Sequence, residues 1–299
     1  MTQTISQITS RKEAFRYCER LARTHYENFT VGSWLLPREL RQHVFNVYAY
    51  CRSVDDLGDE AEGDRLALLD AWEKDLLRCF DGVPEQPVLL ALQATIQRFD
   101  IPREPFLKLI EANRIDQQTN RVPTYADLLH YCEHSANPVG HMVLYLFGYR
   151  DMERQKLADA TCTALQLANF WQDVSRDLDM GRIYIPLEDM ERFGYTEGDL
   201  QRRRFNENFK QLMAFEVDRA RNLFEEGLRL VDLVSDTLKV DLELFSLGGM
   251  KVLEAIEKID YNVLSRRPTV SRLVKARLLV PLLIKYRWRA LTRRGRDGG

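Results

Sequence analysis

Residues 165–186 read LQLANFWQDVSRDLDMGRIYIP. Gln166, Asn169, Asp173 and Asp177 recur at steps of three or four, the spacing at which side chains share one face of an α-helix. Their neighbours Leu165, Leu167, Ala168, Phe170, Trp171 and Val174 are apolar. A polar stripe inside an otherwise apolar helix predicts the wall of a lined cavity rather than a solvated face.

Helical period dominates the rest of the chain as well. No Asn-Gly or Asp-Gly turn separates alternating apolar runs, so strand signals are almost absent. Ser10 followed by Glu13 is a capping-box pattern and opens a helix expected through about Tyr26. Pro37 stands near the start of a second, expected to run through the cluster Asp55–Glu60. Further helices are expected at about 64–80, 87–99, 103–116, 124–148, 153–180, 207–234 and 239–264, with a last one from near 268. Gly63, Gly82, Pro84, Pro102, Pro123, Gly181 and Pro186 punctuate them, and none marks a long linker. The expected architecture is all-α: one helical domain over residues 1–299, with a basic tail from about 266 to 299.

Composition excludes several classes. Hydrophobic residues make up 45% and charged residues 29%, enough for a sizeable core. The net charge of −2 gives no global attraction for nucleic acid. Cys18, Cys51, Cys79, Cys132 and Cys162 are odd in number, widely spaced and without a C-x-x-C pair, which argues against zinc and against a disulfide framework. Reduced thiols in the cytoplasm are expected. The opening MTQTISQITSRKEAF has no apolar signal-peptide core, and no run of 18 apolar residues occurs.

A second acidic cluster precedes the first in the chain: Asp55-Asp56-Leu57-Gly58-Asp59-Glu60, with Arg52 one turn earlier. Asp55 and Asp59 stand at i and i+4, a like-charge spacing that destabilises a helix unless a cation lies between the carboxylates. Two carboxylate pairs with amide oxygens suit Mg²⁺, a hard cation that takes oxygen ligands and is shared with substrate phosphates. Facing each other across a bundle, such pairs would neutralise a diphosphate as it leaves.

These residues resemble the squalene/phytoene synthase family. The stretch Tyr48 to Asp59 looks like its first aspartate-rich motif, and Gln166 to Asp177 with Gly181-Arg182-Ile183-Tyr184-Ile185-Pro186 like its second. Asn28-Phe29 with Leu35-Leu36-Pro37 matches an early family segment, and Tyr131-Cys132 with Gly140 a middle helix. The resemblance implies an isoprenoid-synthase-like bundle around a central cavity, acting on an isoprenoid diphosphate with Mg²⁺. It further implies that Asp55, Asp59, Asp173 and Asp177 hold metal with help from Asn169, and that Arg52 and Arg182 contact diphosphate. Tyr48, Tyr131 and Tyr184 would line the reaction centre, with Phe29 and Gln166 as further substrate-contacting residues of the cavity.

The family's phytoene synthases commonly read N-I-L-R-D in the second motif; here the segment is Asn169-Phe170-Trp171-Gln172-Asp173. That departure, with Ser135–Gly140 and His25–Phe29, looks like the hydroxysqualene-forming branch of bacterial hopanoid synthesis. The implied reaction is loss of diphosphate from presqualene diphosphate and capture of the cation by water. The alternatives are a squalene or phytoene synthase that performs the condensation of two prenyl diphosphates, and a non-catalytic helical scaffold. A chain-elongating prenyl synthase fits Asp55-Asp56-x-x-Asp59 but would repeat that motif, whereas the second site spaces Asp173 and Asp177 by four.

From Arg266 to Gly299 the chain carries eleven Lys or Arg against one acid, Asp297. Mixed with Leu and Val, this pattern allows an amphipathic helix lying on the inner surface of an anionic membrane, or a final core helix with a basic end. Other enzymes of the same pathway are the expected protein partners.

Overall fold

The computed structural model describes residues 10–25, 36–271, 277–278 and 280–282. Phe29, and most of the basic tail with its expected last helix, lie outside the described residues. Within them the chain is all-α, and its only β feature is an isolated parallel bridge between Arg121 and Ile183.

In chain order the helices are α1 (Arg11–His25), α2 (Arg38–Asp59), α3 (Arg65–Asp81), α4 (Pro87–Phe99), α5 (Glu104–Gln118), α6 (Tyr125–Ser135), α7 (Asn137–Leu146), α8 (Met152–Asp179), α9 (Leu187–Arg192), α10 (Glu197–Gln201), α11 (Glu207–Leu228) and α12 (Asp236–Lys258), with a 3₁₀ turn at Arg229–Leu233. Contacts divide the chain into two compact units: Met1–Thr119 with Glu133–Gln155, and Asn120–Cys132 with Lys156–Gly299.

In the first unit α1, α2 and α4 pack on one another, and α2 also packs on α5 and α7. Ser10 caps α1 as its sequence predicts: Glu13 N–H donates to Ser10 Oγ at 3.3 Å, and the hydroxyl donates to Glu13 Oε2 at 2.8 Å. The core is built on Tyr50, Phe106, Leu69, Leu76, Leu89 and Leu92, all fully buried. Burying a large apolar side chain contributes roughly 1.5–3 kcal/mol, provided its polar atoms are satisfied. Tyr50 meets that condition, because its hydroxyl donates to the Phe106 carbonyl at 2.8 Å. The α3–α4 turn is tied by the buried Asp75 carboxylate, which accepts from Glu85 N–H at 2.9 Å and Gln86 N–H at 2.9 Å.

In the second unit Trp171 of α8 and Phe209 and Phe224 of α11 are fully buried. Helices α11 and α8 come very close at one point. A Cβ on Gly227 would lie 2.1 Å from Thr161 Oγ1 and 2.8 Å from Thr161 N, so only glycine fits there.

The structure changes some expected boundaries. The helix expected at 124–148 is two helices, broken at Ala136; Pro138 cannot donate a helical hydrogen bond and instead sits in the first turn of α7. The helix expected to end at 264 stops at Lys258, because Asp260 and Tyr261 adopt left-handed φ values of 54° and 62°. The end of the 207–234 helix tightens into the 3₁₀ turn. The short helices α9 and α10 had no expectation, although Thr196 and Asp199 form a full capping box at the start of α10.

Candidate active site

Four of the singled-out residues lie on α2: Tyr48, Arg52, Asp55 and Asp59, at steps of four, three and four, and so on one face. Tyr48 and Arg52 are half-buried, and Asp55 and Asp59 are exposed. Arg52 is ion-paired with the acids flanking the Asp55–Asp59 pair. Its Nη2 donates to Glu60 Oε1 at 2.5 Å and lies 2.5 Å from Asp56 Oδ1 as an ion pair.

Partial desolvation raises the Asp55 carboxyl above the ordinary carboxylate range, and the neighbouring charge of Asp59 adds to the rise. The Arg52 charge and the polar Asn113 side chain oppose it. Water reaches the side chain, so its desolvation is partial. The site holds more negative charge than Arg52 offsets, and a cation fits it.

Asn113, on α5, carried no signal in the sequence. It is buried, and its Nδ2 donates to the Leu109 carbonyl at 3.0 Å. Gln117, one turn on, donates to the Gly58 carbonyl at 3.0 Å.

In the second unit α8 carries Gln166, Asn169, Asp173 and Asp177 on one face, as the spacing predicts. Gln166, Asp173 and Asp177 are half-buried and Asn169 is exposed, while Leu167, Ala168, Phe170, Trp171 and Val174 are buried. The helix ends in a Schellman motif. Gly181 takes φ +77°, Arg182 N–H donates to Asp177 O at 2.8 Å, and Gly181 N–H donates to Leu178 O at 3.0 Å. Arg182 therefore follows Asp177 by one tight turn.

The next residues run beside 120–123. Ile183 N–H donates to Asn120 O at 2.9 Å, and Leu187 N–H donates to Val122 O at 3.0 Å. Arg121 Nη1 donates to the Gly181 carbonyl at 2.6 Å and Nη2 to Glu197 at 2.6 Å. This pairing brings Tyr184 onto Phe170, stacked with centroids 4.0 Å apart, and to 5.8 Å from the ring of Tyr131. Phe170 and Tyr184 line a water-sized cavity of about 10 Å³ together with Asp177 and Arg182.

Arg267 is a second residue that the sequence did not single out. It donates to both oxygens of Asp173, Nε to Oδ1 at 2.5 Å and Nη2 to Oδ2 at 2.8 Å. Gln172 turns inward to serve it: Oε1 accepts from Arg267 at 2.8 Å, and Nε2 donates to the Pro268 carbonyl at 2.7 Å. Arg267 stands 94 residues beyond Asp173, and in the sequence it is one of many basic residues in the tail region.

Each aspartate pair offers hard oxygens, which fit Mg²⁺ better than a softer metal. Guanidinium groups suit phosphate, and stacked aromatic faces tolerate positive charge.

Comparison with known proteins agrees with this chemistry. The family model for squalene/phytoene synthase matches residues 22–274. The 15-cis-phytoene synthase of Synechococcus elongatus is 32% identical over 277 residues, covering 88% of this chain and 90% of that protein. Among solved structures, squalene synthase HpnC from Alicyclobacillus acidocaldarius is 52% identical with a TM-score of 0.82, over 84% of this chain and 96% of that one. A dehydrosqualene synthase solved with ligand is 29% identical with a TM-score of 0.84, over 93% and 98%. With a helical fold, paired aspartates and a match across most of its length, the chain belongs to the squalene/phytoene synthase family of isoprenoid enzymes.

Proposed function

We propose that the protein ionises presqualene diphosphate in a Mg²⁺-dependent reaction and lets water capture the cation, giving hydroxysqualene. The observation that carries this is the α8 stripe that ends at Asp177, followed within one tight turn by Arg182 and by Tyr184 stacked on Phe170 at 4.0 Å, so that charge suited to diphosphate adjoins aromatic faces able to stabilise a cation.

Asp55 and Asp59 in one unit, and Asp173 and Asp177 with Asn169 in the other, are the metal-holding residues of the proposal. When bound, Mg²⁺ supplies the positive charge that makes diphosphate a good leaving group. Arg52 and Arg182 bind diphosphate oxygens, which requires Arg52 to exchange its contacts with Asp56 and Glu60. Tyr48, Tyr131 and Tyr184 line the reaction centre, and Gln166 and Phe29 shape the cavity. The catalytic domain of the proposal is the whole of 1–299.

The branch within the family rests on Gln172 and on likeness. Where the phytoene pattern has a basic residue, Gln172 is buried and engaged with Arg267 and Pro268. Identity to squalene synthase HpnC is 52%, against 32% to the phytoene synthase. A second reading, condensation of two prenyl diphosphates, is favoured by the several phytoene synthases at about that lower identity.

No described helix is long and apolar enough to cross a membrane. We place the protein in the cytoplasm, with the basic tail in peripheral contact with the anionic inner membrane surface and other pathway enzymes as its neighbours.

The test is mass spectrometry of products after incubation with presqualene diphosphate, Mg²⁺ and ¹⁸O-water without NADPH. A labelled C30 alcohol supports the proposal. No turnover there, with a cyclopropyl or C40 product from farnesyl or geranylgeranyl diphosphate, replaces it with the second reading.

A further inference from the structure

We infer that Arg121 is a positioning residue for the reaction: it clamps the peptide between Gly181 and Arg182 and so sets where Arg182 meets diphosphate. The inference rests on the diphosphate-binding role of Arg182 proposed above.

The peptide that enters Arg182 is held at both of its polar ends. Its N–H donates to the Asp177 carbonyl at 2.8 Å, and its carbonyl, that of Gly181, accepts from Arg121 Nη1 at 2.6 Å. The first bond belongs to the end of α8. The second comes from a residue 60 positions before Gly181. Gly181 takes a left-handed φ of 77°, and with no side chain it restrains this peptide less than any other residue would. The grip on its carbonyl supplies the restraint from outside.

The grip is itself braced. Arg121 Nη1 also donates to the Asn120 carbonyl at 2.8 Å, the same oxygen that accepts from Ile183 N–H at 2.9 Å. The residues on both sides of Arg182 are therefore fastened to the segment 120–121. On the other edge of the guanidinium, Nε and Nη2 donate to Glu197 Oε1 at 3.0 and 2.6 Å. Glu197 opens α10, whose start Thr196 and Asp199 cap, and it also accepts from Gln201 at 3.2 Å. Arginine presents donors on both edges of one rigid plane; a lysine ammonium has no such fork and cannot hold carboxylate and carbonyls in register.

The core does not depend on this network. Gly181 is exposed, and Arg121 and Glu197 are only half-buried, so water can take over the lost contacts. What the network fixes is the main chain on which Arg182 stands, and small displacements of a binding group weaken its contacts steeply.

The experiment is calorimetric titration of inorganic diphosphate, with Mg²⁺ present, into the full chain as wild type, Arg121→Met, Arg182→Met and the double variant. Met keeps the aliphatic stem of arginine and removes its donors. Each single variant is expected to weaken diphosphate binding about 10-fold or more, and the double variant is expected to bind no more weakly than Arg182→Met. That non-additivity marks action through Arg182, whereas a purely structural role would lower the melting temperature and multiply with Arg182→Met. Wild-type affinity in Arg121→Met, or single effects that multiply in the double variant, overturns the inference. If Arg121→Met does not fold, Glu197→Gln loosens the brace with Arg121 in place; weaker binding there supports the inference and wild-type affinity overturns it. If Arg182→Met binds diphosphate as wild type does, or wild type binds none, the role proposed for Arg182 falls and the inference falls with it.

Discussion

Arg267 grips Asp173 through both carboxylate oxygens, at 2.5 and 2.8 Å, while Gln172 holds the same guanidinium at 2.8 Å. A hydrogen bond to a charged partner contributes about 1.5–3 kcal/mol, and the half-buried setting of this pair keeps water from erasing it. For Asp173 to ligate a metal, this grip must loosen or be shared. The contact thus ties Asp173 to a residue 94 positions further along the chain.

Asp173→Asn is expected to lower turnover by orders of magnitude while helix content by circular dichroism stays at the wild-type level. Asn keeps the volume and a single acceptor but loses the charge that both Arg267 and a metal require. Turnover like wild type removes Asp173 from the proposed metal site.

Gln172→Leu is expected to leave the fold intact and lower turnover about 10-fold. The substitution strips Arg267 of its second acceptor and the Pro268 carbonyl of its donor, and an unsatisfied buried group costs about 1–3 kcal/mol. Steady-state kinetics on presqualene diphosphate with a thermal melt checks it. A variant with wild-type kinetics and melting temperature shows that Gln172 positions nothing.

A buried charge cluster in the second unit predicts how stability varies with pH. Glu216 is fully buried beside Asp189, itself 2% exposed, and Arg219 reaches both, with Nη1 at 2.5 Å from Asp189 and 3.3 Å from Glu216. Burial pushes Glu216 from its ordinary 4.5 up to about 8; the Arg219 charge opposes the rise and Asp189 adds to it. Between those values the folded state holds a proton that the unfolded chain releases. The contribution is therefore fully present below about 4.5 and lost as pH rises through about 8. Urea unfolding of wild type and Glu216→Gln across pH 5–9 should show wild type losing stability relative to the variant as pH rises. A constant difference contradicts the raised titration of Glu216.

Gly227→Ala is expected to destabilise by about 1–3 kcal/mol, although alanine is the better helix former. The added methyl would meet the backbone of Thr161, which cannot swing away as a side-chain tip can. Chemical denaturation reads the change, and a more stable variant would show that α11 and α8 separate at little cost.

The fold was legible wherever local chemistry sets it. The Ser10–Glu13 cap, the stripe on α8 and most helix limits follow from spacing and capping alone. Both aspartate pairs were legible for the same reason, since each lies on a single helix. What escaped came from distant sequence. Asn113 reads as an ordinary polar residue until α5 meets Gly58, and Arg267 is one basic residue among many until it reaches Asp173. The break at Ala136 shows the other limit: Pro138 is visible in the sequence, but whether the chain kinks or starts afresh depends on what packs around it.

The segment that bears Tyr184 is bolted at both ends: Ile183 to Asn120, Leu187 to Val122, and Arg121 across to Gly181 and Glu197. In the proposed reaction, a ring mounted this way would act as a mould. Reactive cations rearrange along whichever shape is offered to them, and a wall that does not yield narrows the range of folded substrate shapes. Fidelity in such a catalyst is then a mechanical property, stored in a few backbone hydrogen bonds set beneath the aromatic surface.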